Sequence, residues 1–180
     1  MGISQLNFEG KNKVEVAIMR LKEFEPPEGY FGAFSGGKDS CVIKGLAEEA
    51  SVKVDWNFNI SGVDPTELLS FIRENHPDVN LIYPAMPIFK AVVKRGLPRR
   101  QARWCCELIK ETSGHDRTVM TGVRWAESAR RRARMMYEVC KTDGTKKYLH
   151  PIIDWIDNEV WEYIHSRNLP YCSLYDEGFK

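Results

Sequence analysis

The chain of 180 residues is expected to fold as an α/β domain, a doubly wound, mostly parallel five-stranded sheet with helices on both faces. Three observations carry this expectation. Apolar segments with the two-residue period of strands recur between segments with the 3.6-residue period of helices. The order strand, helix, strand, helix, strand calls for parallel pairing through right-handed crossovers. A glycine turn at residues 35–40 stands where the first strand hands over to a helix, the place at which open parallel sheets hold ligands.

Each element has its own signal. Val14, Ala17, Ile18, Leu21 and Phe24 stand at helical spacing within residues 11–24, and Glu25-Pro26-Pro27-Glu28-Gly29 ends that helix. The apolar run Tyr30, Phe31, Ala33 and Phe34 is the first strand, and Val42, Ile43, Leu46, Ala47 and Ala50 form the inner face of the helix after the turn. Val52, Val54, Trp56, Phe58 and Ile60 then alternate with polar residues as a half-buried strand does, with Asn57 and Asn59 on its other face.

Asp64-Pro65-Thr66-Glu67 reads as a helix start, with Asp64 as N-cap, Pro65 at the first helical position and Glu67 closing a capping box. Asp64 also follows the C-terminal end of a strand, so a place near a ribose or a metal is its second reading. Leu68, Leu69 and Ile72 continue this helix, residues 79–83 are the third strand, and a helix carrying Ile88, Phe89, Val92 and Val93 ends at Gly96. Residues 118–121 are the fourth strand and residues 147–149 the fifth. Asp157 is expected to cap a last helix that buries Val160, Trp161 and Ile164, and Asn168-Leu169-Pro170 stops it. Residues 1–25 are read as a helix and linker, and residues 26–180 as one nucleotide-binding domain.

Composition narrows the function classes. With 43% hydrophobic and 28% charged residues the chain is an ordinary globular domain, and a net charge of +1 makes no case for nucleic-acid binding through overall charge, so any basic surface must be local. No apolar run approaches the roughly 20 residues that cross a bilayer, and Met1-Gly2-Ile3-Ser4-Gln5 lacks the features of a signal peptide. The expectation is a cytoplasmic protein without a membrane partner. An odd count of five cysteines without an export signal argues against a disulfide framework, and four scattered histidines give no zinc spacing.

The chemistry starts at Ser35-Gly36-Gly37-Lys38-Asp39-Ser40. Two glycines let the backbone turn and approach a ligand, successive N–H groups then face an anion, and a helix N-terminus adds its positive dipole end. Lys38 brings a full charge, Ser35 and Ser40 bring hydroxyls, and Asp39 offers an oxygen to Mg²⁺. Residues 32–38 match all but the last position of the Walker A pattern, where Asp39 stands in place of a magnesium-binding hydroxyl. What the six residues resemble instead is the PP-loop of the adenine nucleotide α-hydrolase superfamily, whose members bind ATP and cleave between the α and β phosphates.

Further stretches are similar to the phosphoadenosine phosphosulfate (PAPS) reductase family within that superfamily. They are Gly122-Val123-Arg124 with Glu127-Ser128 and Arg131, His150-Pro151-Ile152-Ile153-Asp154-Trp155 with residues 160–164, and Leu169-Pro170-Tyr171-Cys172 with Leu174-Tyr175-Asp176 and Gly178. The resemblance implies an adenine nucleotide at the C-terminal strand ends, held by Ser35, Gly36, Gly37, Lys38, Asp39, Ser40, Asp64, Gly122, Arg124, Glu127 and Arg131. Lys38, Asp39 and Arg124 are the implied catalytic groups, and Mg²⁺ would sit on Asp39. Sulfonucleotide reductases of the family usually carry an altered loop and a C-terminal cysteine tail. The intact loop here is closer to the ATP-using relatives, so ATP pyrophosphatase or adenylyl-transfer chemistry in sulfur metabolism is the first expectation. A sulfonucleotide reductase and a noncatalytic nucleotide-binding subunit are the alternatives.

Arg124 and Arg131 are read as grips for an acceptor or the outer phosphates, with Glu127 orienting the Arg124 guanidinium from three residues away. Arg130, Arg132 and Arg134 are read first as a solvated helix face. A nucleic-acid grip by Arg99, Arg100, Arg103 and residues 130–134 is the other reading, so the acceptor is sulfate, a sulfonucleotide or nucleic acid, with a partner subunit or a homodimer open. Cys105-Cys106 reads as a helix start with a buried thiol. In some relatives such a pair joins a later Cys-x-x-Cys to hold an iron–sulfur cluster, but no Cys-x-x-Cys occurs here, so a cluster is expected only in a longer chain.

Overall fold

A parallel sheet needs helix-length connections between its strands, and this chain supplies them on both sides of its first strand. The computed structural model describes residues 10–99, 104–109, 113–140 and 144–179. Its strands are β1 (Tyr30–Ala33), β2 (Val54–Asn59), β3 (Asn80–Ile82), β4 (Thr118–Met120), β5 (Tyr137–Val139) and β6 (Lys147–Leu149). They form a single sheet in the order β3-β2-β1-β4-β6-β5. All neighbours pair in parallel except β5 and β6. The sheet is therefore α/β and mostly parallel as expected, but with six strands. The three residues of β5 are too few for an alternation to show in sequence.

The helices are α1 (Lys13–Glu23), α2 (Lys38–Ala50), α3 (Thr66–Asn75), α4 (Ile88–Arg95), α5 (Trp104–Ile109), α6 (Ala129–Arg132) and α7 (Asp157–Ser166). Asn12 starts α1 with a reciprocal cap, its side chain accepting from the Glu15 N–H while Glu15 accepts from the Asn12 N–H, each at 2.9 Å. Packing of α1 on α2, and of α2 on α7, builds the core layer. Leu21, Tyr30, Leu46, Trp155 and Ile164 are buried there, and the Tyr30 hydroxyl donates to the Leu21 carbonyl at 2.8 Å. Two ion pairs, Lys13 with Glu159 and Arg20 with Asp154, each at 2.6 Å, tie α1 to the α7 end of the layer.

Two helix starts differ from expectation. The N-cap of α3 is Pro65 and not Asp64, because the Asp64 carboxylate turns back to accept from the Ser61 and Gly62 N–H groups at 2.7 and 3.3 Å. The N-cap of α7 is Ile156, whose N–H donates to Glu159 at 2.8 Å, which leaves the Asp157 side chain for other contacts. Helix α4 ends near Gly96 as expected and leaves most of its surface open. Its one buried residue is Ala91, while Phe89 and Val93 are 68% and 88% exposed.

Candidate nucleotide site

From β1 the chain moves outward through β2 and β3, then returns to lay β4 and β6 on the other side. The strand order thus reverses between β1 and β4, and the crevice at the C-terminal ends of these two strands is where such a sheet binds ligands. Two loops meet there, residues 34–37 after β1 and residues 121–124 after β4. Glycine is required in both. Gly36 has φ of 70°, and a Cβ on it would lie 2.5 Å from Leu68 Cδ1. A Cβ on Gly122 would lie 2.8 Å from the Asp39 Cβ and 3.1 Å from its carbonyl, so only glycine lets the loop after β4 close on the first turn of α2.

Hydroxyls brace the first loop from within. Ser40 Oγ donates to the Gly37 carbonyl at 2.7 Å and stands 3.3 Å from Ser35 Oγ, which accepts from the Gly37 N–H at 3.3 Å. The Lys38 N–H donates to the Tyr175 hydroxyl at 3.0 Å, and the Lys38 ammonium lies 5.4 Å over the Tyr175 ring.

A buried cation joins the two loops. Arg124 is 3% exposed, with Nε 2.6 Å from Asp39 Oδ1 and Nη2 3.1 Å from Asp157 Oδ1. Its Nη1 donates to the Trp155 carbonyl at 3.4 Å. Lys38 Nζ reaches the same Asp157 oxygen at 3.2 Å. Four charges, two of each sign, therefore share one junction at the head of α2. Burial raises the Asp39 pKa, and the nearby Arg124 and Lys38 cations offset only part of that. Burial also pushes Asp157 upward, but hydrogen bonds and charge from Lys38 and Arg124 outweigh it and hold the carboxyl below its ordinary range.

The Arg124–Asp39 contact is an ion pair without an aligned N–H, and Asp39 Oδ1 is buried with no hydrogen-bond donor of its own. Oδ1 faces the Arg124 cation, but the carboxylate as a whole is 22% exposed, and its chemistry suits Mg²⁺, which commonly takes one or two carboxylates and completes its shell with phosphate oxygens and water. Among the described residues no group of three or more His, Cys, Asp or Glu is placed to hold a metal by protein ligands alone.

The expected residues do not all converge. Ser35, Gly36, Gly37, Lys38, Asp39, Ser40, Gly122 and Arg124 come together. Glu127 does not orient the Arg124 guanidinium; its carboxylate accepts from the Arg124 backbone N–H at 2.8 Å and pairs with Arg131. Arg131 itself is 44% exposed. Arg134, expected on a solvated face, pairs with Glu138, approaches His150 Nε2 at 3.4 Å and lies over the Tyr148 ring. Asp64 braces the loop after β2. Cys41 and Cys172 are buried, burial lifting the Cys41 thiol to about 12, while Cys105 is half-buried on α5. Arg100, Arg103 and the Cys106 side chain lie outside the described residues.

Asp157 and Tyr175 are the contributors that local sequence reasoning missed. Both lie in or beside the stretches that resemble the family, but nothing local marks either as a neighbour of a loop more than a hundred residues earlier.

Comparison with known proteins places the chain. Residues 29–180 match the family model described as the phosphoadenosine phosphosulfate reductase domain. Two uncharacterized proteins of Methanocaldococcus jannaschii are 30% and 32% identical to it over 82% of the chain, which spans only 38% and 33% of their lengths. A probable FAD synthase of Schizosaccharomyces pombe is 28% identical over 94% of the chain and 65% of its own length. An adenosine 5′-phosphosulfate reductase of Bacillus cereus is 26% identical over 95% of the chain and 77% of its own. The fold is that of the phosphoadenylyl-sulfate reductase of Candida auris, crystallised as a phosphate complex, with a TM-score of 0.69 at 20% identity over 99% of this chain and 96% of that one.

Proposed function

The chain belongs to the phosphoadenosine phosphosulfate reductase domain family, and on that premise we propose that it binds ATP and transfers the adenylyl group to an oxyanion acceptor, releasing pyrophosphate. The observation that carries this reading is the junction at the head of α2, where the loop keeps both Lys38 and Asp39 and sets them against buried Arg124.

In this reaction an acceptor oxygen attacks the α-phosphorus, the bond from that phosphorus to the bridging oxygen breaks, and pyrophosphate leaves with the electron pair. Charge gathers on the leaving group, so fixed donors aimed at it lower the barrier. The Gly36 N–H and the Lys38 ammonium take that role, joined by the Gly37 N–H once it exchanges Ser35 Oγ for a phosphate oxygen. Bound at Asp39, Mg²⁺ supplies further charge neutralisation on the phosphates. Arg124 holds Asp39 and Asp157 in place, and exchanges part of that pairing for ligand oxygens when the nucleotide enters. Arg131, half-exposed beyond the crevice and paired with Glu127, exchanges that partner for the acceptor oxyanion. Relatives named as a probable FAD synthase and a phosphosulfate reductase support an acceptor bearing phosphate or sulfate. A place in sulfur metabolism and a cytoplasmic location belong to the same reading. Among the described residues no helix is long and apolar enough to cross a membrane.

Incubation of the chain with magnesium ATP and a panel of FMN, sulfate and adenosine 5′-phosphosulfate tests the proposal. Pyrophosphate release with an AMP-bearing product, lost in Asp39→Asn, is expected. Thioredoxin-dependent release of sulfite from a sulfonucleotide would establish a reductase instead. Tight ATP binding without pyrophosphate under any condition would leave a nucleotide-binding subunit.

A further inference from the structure

We infer that the outer face of α4, with the loop residues on either side of it, is a docking surface for single-stranded nucleic acid. The inference is separate from adenylyl transfer. It rests on three features that coincide on this face.

The first is charge. Lysines and arginines exceed aspartates and glutamates by 26 to 25 over the chain, yet residues 79–106 contain six of those cations and no acid at all. Lys90, Lys94, Arg95 and Arg99 are exposed and pair with no described residue. The second is apolar exposure. Tyr83, Phe89, Val93 and Leu97 are 68%, 68%, 88% and 75% exposed, the largest concentration of exposed apolar side chains among the described residues. The third is arrangement. Phe89 and Val93, one turn apart, stand on the side of α4 opposite buried Ala91, with Lys90 and Lys94 flanking them on one side and half-buried Ile88 and Val92 on the other.

An apolar ridge with cations along one side and in the loop beyond it asks for a partner that presents flat apolar groups and spaced negative charge together. Single-stranded nucleic acid does so, with bases that stack on rings and phosphates that meet lysine and arginine. A second copy of the chain fits poorly, because a two-fold contact would set this acid-free face against itself. A bilayer surface fits poorly as well, since two turns offer one aromatic and one aliphatic side chain for insertion, and Tyr83 extends from a strand end off the helix axis.

Location adds to the case. Tyr83 follows the C-terminal end of β3, and Ile88 Cγ2 lies 3.8 Å from the Cβ position of Gly62 in the loop after β2. The face thus opens on the edge of the sheet that carries the phosphate loop.

Fluorescence anisotropy with a labelled single strand of about 16 nucleotides, as DNA and as RNA, tests the inference on the full chain. Three or four phosphate contacts give a roughly twenty- to fiftyfold loss of affinity between about 50 and about 200 mM salt. Tyr83→Ala and Phe89→Ala should each weaken binding about five- to a hundredfold, and the triple variant Lys90→Glu, Lys94→Glu, Arg95→Glu should abolish it. Photo-crosslinking of a 4-thio-substituted strand to the unaltered chain should map to Tyr83 or Phe89, which decides the matter even if a variant folds poorly. The inference is overturned by no binding at low salt, by crosslinks confined elsewhere, or by α4 variants that bind as the unaltered chain does. Tighter binding to phosphatidylserine vesicles than to the strand would overturn it too, as would dimerisation that the α4 substitutions abolish.

Discussion

Helices α2 and α4 occupy equivalent places in the fold, each following a parallel strand, and yet they share almost nothing in their surroundings. Nine residues of α2 are buried, including Ser40 and Lys44, whereas α4 buries Ala91 alone. The difference follows from distance to the reversal of strand order. At the head of α2 two loops converge, and α1 and α7 cover the helix; under the proposed function, a helix that aims backbone N–H groups at phosphates must be fixed in this way. β3 is an edge strand, and α4 is anchored through Ala91 on one side. Covered helices position chemistry, and an uncovered helix with cations beside its apolar ridge presents a surface.

The largest expected effect strikes the covered side. Arg124→Ala removes the cation that joins both loops, leaving Asp39 buried without its partner. Loss of one member of a buried pair costs about 3–5 kcal/mol, and the partial exposure of Asp39, 22%, puts this case near the lower end. Urea unfolding checks the value. A loss below about 1 kcal/mol would mean that the junction is already hydrated and that α2 is no more firmly set than α4.

A pH effect of similar size comes from two histidines on the covered side. His150 is fully buried behind the loop after β4, with Nδ1 2.6 Å from Thr121 Oγ1. Burial lowers its pKa to about 4, with Arg134 adding to the shift. His76, 3.2 Å from Lys44 Nζ, is lowered to about 4 by burial and then by that ammonium. As pH falls below about 6.5 the unfolded chain takes up protons that the folded chain refuses, so stability declines down to about pH 4. The upper bound is about 3 kcal/mol for each histidine. Unfolding midpoints measured across that window should fall with pH, and His150→Gln should remove part of the slope. A flat profile would show that neither ring is held neutral.

Legibility in the sequence divides along the same line. The phosphate loop could be read because its chemistry is local, six consecutive residues in a strand-to-helix context. Gly122 and Arg124 could be read for a similar reason, as a short run after a strand. Asp157 and Tyr175 could not, since their roles depend on how α7 and the last turn fold back over α2, and no residue spacing encodes that. Arg124 lies against the loop at the head of α2, but its partner is not the expected one. The acid three residues on is the nearest in sequence, yet the backbone N–H takes it, and the guanidinium finds Asp39 and Asp157 across the crevice. In α4, helical periodicity reports that Ile88, Phe89, Val92 and Val93 share a side and says nothing of whether another element covers it.

On the ligand side, Lys38→Ala should weaken magnesium ATP about ten- to a hundredfold, the equivalent of one charge-assisted contact worth roughly 1.5–3 kcal/mol. The fold should survive, since Asp157 keeps its contact with Arg124 and is itself 59% exposed. Calorimetric titration checks this, and equal ATP affinity in both proteins would detach the loop from the nucleotide. The same substitution should leave strand binding at α4 unchanged, which keeps the two surfaces distinct in experiment.

The smallest expected effect is also the sharpest test of the contrast between the helices. Val93→Ser on α4 and Val42→Ser on α2 make the same chemical change in the same kind of element. Val42 is fully buried, so its loss leaves a cavity and brings a hydroxyl into the core, at a cost of about 2–4 kcal/mol. Val93 is 88% exposed, so its replacement should shift stability by less than about 0.5 kcal/mol. Parallel urea titrations give both values under one condition. If Val93→Ser costs more than about 1 kcal/mol, the outer face of α4 is covered in solution by protein, and the docking surface is closed before any strand arrives. If the cost is near zero in the free chain and Val93 becomes protected from solvent labelling when a strand is added, the exposed ridge is the part of the molecule that the partner completes.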